Sequence, residues 1–248
     1  MAVYVMVHGA WHGAWCWRHV TEALIRAGHR AHAVTLTGVG ERSHLLTRDI
    51  GLQTHIQDVI NAIQTEEMDD VVLAVHSYAG MVGTGVADHF GPRIRHLVYV
   101  DAVVPKPGEA WSGTHARATR EGRMAAAQAD PNFSFPPPGA SLFGLSGEQE
   151  AWVNRRQTNH PAQPYLDVLD FSVDTLSAIA RTFVSCTKPS LATIDAIRPR
   201  VNDPQFWGGR WLPGVRVIEM ATGHDPMVSD PEGLTRILLD CLPQRDTA

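Results

Sequence analysis

Apolar residues gather in short continuous runs, separated by stretches in which they recur every three or four positions. The β-rich runs are Val3–Val7, His32–Leu36, Val71–Val75, Leu97–Asp101, Thr182–Cys186 and Val215–Met220. Several are apolar throughout, the pattern of parallel strands buried on both faces. Between them, Val20, Leu24 and Ile25 fall at helical spacing before a stop at Gly28, and Leu52, Ile56, Val59, Ile60 and Ile63 do the same. After Ser77, Gly80, Gly83 and Gly85 interleave with Met81, Val82 and Val86, a helix small enough to lie tight against a sheet. Strand and helix alternating in this order predict an α/β fold: a doubly wound, mainly parallel sheet of about six strands flanked by helices.

Residues 105–180 break the rhythm with proline-rich and charged segments and scattered aromatics. This is too long for a connecting loop and predicts a cap inserted within one domain spanning residues 1–248. The cap's Trp111, Phe133, Phe135, Leu142, Phe143 and Trp152 exceed what a solvated lid requires, so some are expected to face a ligand crevice.

Composition narrows the function. At 248 residues, 44% hydrophobic and 19% charged, the chain suits one domain with a substantial core. A net charge of −5 gives no basic footprint for nucleic acid. No apolar run approaches the roughly 20 residues that span a bilayer, and the apolar N-terminus lacks the basic lead of a signal peptide. Cys16, Cys186 and Cys241 are too few and too scattered for a disulfide framework or a zinc site, so the cytoplasm is the expected compartment. No feature specifies an oligomeric state.

Candidate chemistry lies just beyond the strands. The first is followed by His8-Gly9-Ala10-Trp11-His12-Gly13, the third by Ser77, the fourth ends at Asp101, and the last is followed by Gly223-His224-Asp225. Strand ends converge in a doubly wound sheet, so a serine, a carboxylate and a histidine can meet there. Serine is a weak nucleophile until a base takes its proton, and the histidine needs a carboxylate to hold its tautomer. Ser77 could instead be a plain helix cap. Among 13 histidines, only His224 occupies a loop after the last strand, before a helix capped by Asp230. His76 adjoins Ser77, with its side chain expected to point away from the catalytic face.

With VMVHGAWHGAWCW, HSYAG and TGHDPMVSDPEGL in place, the chain resembles an α/β-hydrolase. The nearest branch holds plant methylesterases, hydroxynitrile lyases and related bacterial esterases. The chain order Ser, Asp, His is that of the family. The resemblance implies an oxyanion hole made by the backbone N–H groups of Ala10 and Tyr78. It also implies a pocket for which His8, Trp11, His12, Trp111 and Phe143 are candidates, His8 and His12 alternatively ordering the oxyanion loop.

Two departures from the pattern stand out. Val75 and Ala79 occupy the glycine positions of G-x-S-x-G, although the related haloalkane dehalogenases tolerate valine at the first. The family's usual acid follows the strand Thr182–Cys186, where this chain reads Cys186-Thr187-Lys188-Pro189 with no aspartate. Asp101 is the expected replacement, since some dehalogenases and lipases place their acid at that strand end. A carboxylate in an apolar run also demands a strong partner. Asp195 and Asp203 are the alternatives.

The function expected is that of a serine hydrolase cleaving a carboxylic ester of a small, largely apolar or aromatic substrate through an acyl-enzyme. Neither cofactor nor metal is needed, and a small-molecule ester is the only partner expected. A lyase of the hydroxynitrile type and a non-catalytic ligand receptor are the alternatives. Gly9 in place of a hydroxyl residue and Asp225 in place of a lysine disfavour the lyase.

Overall fold

The computed structural model describes residues 1–242. Six strands, β1 (Val3–Val7), β2 (Arg30–Val34), β3 (Val71–His76), β4 (Ile94–Val100), β5 (Ala180–Cys186) and β6 (Val215–Met220), form one sheet in the order β6-β5-β4-β3-β1-β2. Every pairing in it is parallel. Helices α1 (Arg18–Arg26), α2 (Leu52–Thr65), α3 (Ala79–Phe90) and α6 (Pro231–Leu239) flank it, α2 packing on α3 and α1 on α6. Between β4 and β5 lie α4 (Arg117–Ala129), α5 (Gly147–Asn154) and two short antiparallel ladders, Glu109–Ala110 with Val168–Leu169 and Ser134–Phe135 with His160–Pro161.

The central strands are apolar because both faces are covered: every residue of β3 is buried. Three strands are displaced from the expected ranges. β2 begins and ends two residues earlier, its ladder to β1 closing at the Val7–Val34 pair, while Leu36 is buried beyond it as loop. β4 and β5 begin earlier than their apolar runs, at Ile94 and Ala180. Their early polar residues are accommodated within the sheet. Arg181, for example, is buried and donates to the carbonyls of Ile179, Trp211 and Pro213.

The chain passes from β1 to β2 on one side and then to β3 on the other, so the order reverses between β1 and β3. That is the position at which open α/β sheets bind ligands. The loop after β1 and the corner after β3 are therefore neighbours. Val75 in place of the motif's first glycine is accommodated from the helix: a Cβ on Gly83 of α3 would lie 2.4 Å from Val75 Cγ1. Valine and glycine have changed sides of one contact.

On helix propensity alone, Gly83→Ala stabilises by about 1 kcal/mol. Overlap with Val75 reverses the sign, and we expect a net loss of about 1–3 kcal/mol in denaturant unfolding. Combining it with Val75→Ala should recover part of that loss; strict additivity of the two changes would refute the compensation.

Candidate active site

Ser77 sits between β3 and α3 with φ +55°, a left-handed backbone that costs a non-glycine residue on the order of 1–3 kcal/mol. The surroundings hold it there. Its N–H donates to Val100 O, and its carbonyl accepts from Val103 N–H and Gly80 N–H. Asp101 (φ +42°) and Trp11 (φ +66°) share this backbone region, so three of the seven such non-glycine residues among those described surround one point.

At that point the side chains line up. His224 Nε2 is 2.9 Å from Ser77 Oγ, and His224 Nδ1 is 2.7 Å from Asp101 Oδ2. Asp101 is fully buried. Its second oxygen, Oδ1, accepts from Arg198 Nη2 at 2.9 Å and from Cys186 N–H at 3.1 Å. The strand end that lacks an aspartate thus contributes a backbone donor to the aspartate of the neighbouring strand. Asp195, half-exposed, pairs with Arg198, and Asp203 Oδ1 accepts from Gln205 N–H; neither is the partner of His224.

The loop after β6 is tied down from three sides. His224 N–H donates to Phe143 O at 2.8 Å, and His76 Nε2 donates to His224 O at 2.8 Å. The His76 ring therefore does not point away from the catalytic face. It lies 4.5 Å from the His224 ring, centroid to centroid, because the left-handed turn comes one residue later, at Ser77. The third tie is Asp225, which is fully buried and accepts from His12 Nε2 at 3.0 Å.

His8 and His12 order the loop after β1 and are not in the cavity wall, which corrects their placing among pocket residues. His8 Nδ1 donates to Gly9 O and its Nε2 accepts from Leu36 N–H. Burial pushes its pKa down to about 3, so it is neutral. His12 Nδ1 donates to Ala10 O at 2.7 Å while Nε2 meets Asp225, an arrangement that takes both protons of an imidazolium. Burial alone would push its pKa down, but the Asp225 charge and hydrogen bond overcome this and raise it. Burial would likewise raise Asp225, and His12, with smaller help from His76 and His224, lowers it instead.

That pair has a definite pH signature. The raised His12 contributes stability fully below its unfolded value near 6.5 and loses it as pH climbs through the folded value. The lowered Asp225 contributes above 3.8 and loses it as pH falls through its folded value. Asp225→Asn should therefore cost about 3–5 kcal/mol near pH 6, where the pair is intact. The deficit should shrink at pH 9; urea unfolding at the two pH values checks it, and equal deficits would contradict an ionised pair.

Ala10 and Tyr78 are both buried, and the Ala10 carbonyl accepts from His12 Nδ1. Their N–H groups donate to no described residue. The Tyr78 hydroxyl donates to His55 Nδ1 at 2.9 Å, and His55 Nε2 donates to Thr37 O. Burial lowers the His55 pKa to about 4, which keeps it neutral and its Nδ1 an acceptor.

Ser77 and His224 open onto a cavity of about 420 Å³. Trp11, Trp111 and Phe143 line it, joined by Phe135 and Leu142. Phe133 lies instead against Arg48, and Trp152 against Trp15, Arg18 and Arg156. Arg198 and Arg123, which the motifs gave no reason to single out, both bear on the site, and Asp225, noted only for standing where a lyase has lysine, anchors the His224 loop. Arg198 reaches Asp101 across 97 residues and His12 reaches Asp225 across 213, so no local pattern marks these contacts.

Residues 4–237 match the alpha/beta hydrolase family, and the chain belongs to that family. Among its relatives, the carbendazim hydrolyzing esterase of Nocardioides sp. (strain SG-4G) is 38% identical over 246 residues, covering 96% of this chain and 98% of that protein. Methylesterase 7 of Arabidopsis thaliana is 27% identical over 254 residues, covering 96% and 95%. An extracellular alpha/beta-hydrolase from a Paenibacillus species shares the fold with a TM-score of 0.81 at 19% identity, covering 98% of this chain and all of that one. Among the described residues, no helix is long and apolar enough to cross a membrane.

Proposed function

We propose that the protein is a serine carboxylesterase acting on small, largely apolar or aromatic esters through a covalent acyl-enzyme. The observation that carries this reading is the line from Ser77 Oγ through His224 to Asp101, at 2.9 and 2.7 Å, opening on a mainly apolar cavity. The relatives named as esterases and methylesterases support the same class of reaction.

Ser77 Oγ attacks the ester carbonyl carbon while His224 Nε2 takes its proton. Asp101 holds the imidazole so that Nδ1 carries the other proton and stabilises the imidazolium that forms. The N–H groups of Ala10 and Tyr78 receive the oxyanion, each contributing a factor of roughly 10²–10³. His224 then gives its proton to the departing alkoxide, leaving an ester on Ser77. Water, deprotonated by His224, attacks that acyl group; its collapse restores Ser77 and releases the carboxylic acid. No cofactor or metal enters the scheme. Residues 105–180 act as a cap over the strand ends and supply most of the apolar wall.

A hydroxynitrile-type lyase fits less well. A Cβ on Gly9 would meet Ser77 Cβ and His76 Nδ1 at 2.8 Å, so no hydroxyl side chain has room there, and Asp225 stands where a lysine would. Steady-state assays with 4-nitrophenyl esters of graded chain length test the proposal. Turnover of short or aromatic acyl groups is the expected result, and absence of turnover with all of them would overturn it.

A further inference from the structure

The cavity contains one group that the mechanism leaves unused. Arg123, on α4, lines it together with Ser77 and His224. Its guanidinium carbon lies 4.9 Å from the ring centre of Trp111, 5.1 Å from Tyr165, 5.4 Å from Trp11 and 5.6 Å from Phe135. These rings present their electron-rich faces to the cation, an attraction of about 0.5–2 kcal/mol each.

Aromatic faces offer no lone pairs in the plane of the fork, however. Among the described residues no carboxylate pairs with Arg123, and its Nη1 is buried with no hydrogen-bond acceptor. No aspartate or glutamate lines the cavity at all, in a chain whose net charge is −5. Beside it, burial and the charges of Arg123 and Arg120 push the His115 pKa down to about 3, and Nδ1 of that neutral ring is likewise buried without a partner. Burial lowers the pKa of Arg123 as well, yet a guanidinium remains charged at any physiological pH. The result is a partly buried cation whose protein surroundings are aromatic rings and the Tyr165 hydroxyl, with no carboxylate among them and one buried nitrogen, Nη1, left without an acceptor. That is a costly arrangement unless a ligand supplies the missing acceptor.

We propose that Arg123 forms an anion subsite in the cavity, and that the esters this protein hydrolyses carry a carboxylate there, joined to the scissile carbonyl by an apolar spacer. The inference deepens the esterase reading and rests on Ser77 as the nucleophile. The apolar spacer follows from the wall: Trp11, Trp111 and Phe135, which line the cavity together with Ser77, are the same rings that surround the guanidinium. Half-esters of dicarboxylic acids have this shape. A planar carboxylate also matches the guanidinium fork with two parallel hydrogen bonds.

The test compares mono-(4-nitrophenyl) suberate with 4-nitrophenyl octanoate, of equal chain length and differing by the terminal carboxylate. The wild-type protein should prefer the half-ester in kcat/KM. Arg123→Met should cut that preference by roughly 10–100-fold, the range for losing a hydrogen bond to a charged group, and Arg123→Lys should keep part of it. A wild-type protein with no preference for the half-ester would overturn the proposal whether or not the variants fold, and so would a preference unchanged in Arg123→Met. Binding of monomethyl suberate, followed by tryptophan fluorescence, separates this inference from the esterase reading. Binding that survives Ser77→Ala and disappears in Arg123→Met supports the subsite even if neither ester is turned over. Absence of binding in both wild type and Ser77→Ala counts against it.

Discussion

Ser77→Ala is expected to lower kcat by roughly 10⁶-fold, the loss typical when the nucleophile of an interdependent triad is removed. The reason is geometric. His224 Nε2 has Ser77 Oγ as its partner at 2.9 Å, and alanine leaves the base with no alcohol to activate. KM should change far less, because Ser77 is one small element of a cavity whose walls are mostly aromatic and aliphatic. The fold should persist. The backbone bonds of the corner, from Val103 N–H and Gly80 N–H to the Ser77 carbonyl and from Ser77 N–H to Val100 O, do not involve the side chain. Alanine does inherit the left-handed φ of +55°, a strain serine already bears. Residual activity of roughly 10³–10⁴ over water is expected from the oxyanion donors and binding alone. A variant that keeps most of its kcat in assays with 4-nitrophenyl butyrate would rule out Ser77 as the nucleophile.

Asp101→Asn should cost roughly 10⁴ in kcat with little change in shape. The carboxylate accepts from His224 Nδ1 on one oxygen and from Arg198 and Cys186 N–H on the other. An asparagine can keep its carbonyl oxygen toward Arg198 and Cys186, which turns its NH₂ toward His224. That donor forces the imidazole to present an unprotonated Nδ1 and a protonated Nε2. The nitrogen facing Ser77 is then a donor rather than a base. Asp203→Asn lies outside this network and should leave kcat within about threefold, and Asp195→Asn, which still offers Arg198 an acceptor at a half-exposed position, should have a similarly small effect. A comparable collapse of kcat in either, with Asp101→Asn nearly intact, would move the acid to the loop after β5.

How far the sequence foretold this arrangement depends on which forces act locally. β1 and β6 match their apolar runs residue for residue, Val3–Val7 and Val215–Met220. β4 and β5 begin before theirs because Arg95, His96 and Arg181 lie inside strands, where partners distant in sequence satisfy them. The strand–turn–helix around Ser77 was legible because a fully apolar strand followed by a glycine-rich helix leaves few other structures open. Asp101 was legible as a carboxylate in an apolar run, which has to be paired. The tethers were not. Arg198 reaches Asp101 across 97 residues, and His12 reaches Asp225 across 213. The orientation of His76 depends on a backbone turn one residue later, which periodicity does not encode. Gly83 opposite Val75 was hidden for the same reason, since each looks ordinary until the helix is laid on the strand.

The proposed reaction requires that Ser77 be chemically activated by His224 and Asp101. Labelling the intact protein with a fluorophosphonate, digesting it and mapping the adduct by mass spectrometry tests this directly. One adduct per chain is expected, on the peptide containing Ser77, absent from Ser77→Ala and formed far more slowly in His224→Ala. An adduct on another residue, or ester turnover that survives without any adduct, would contradict it.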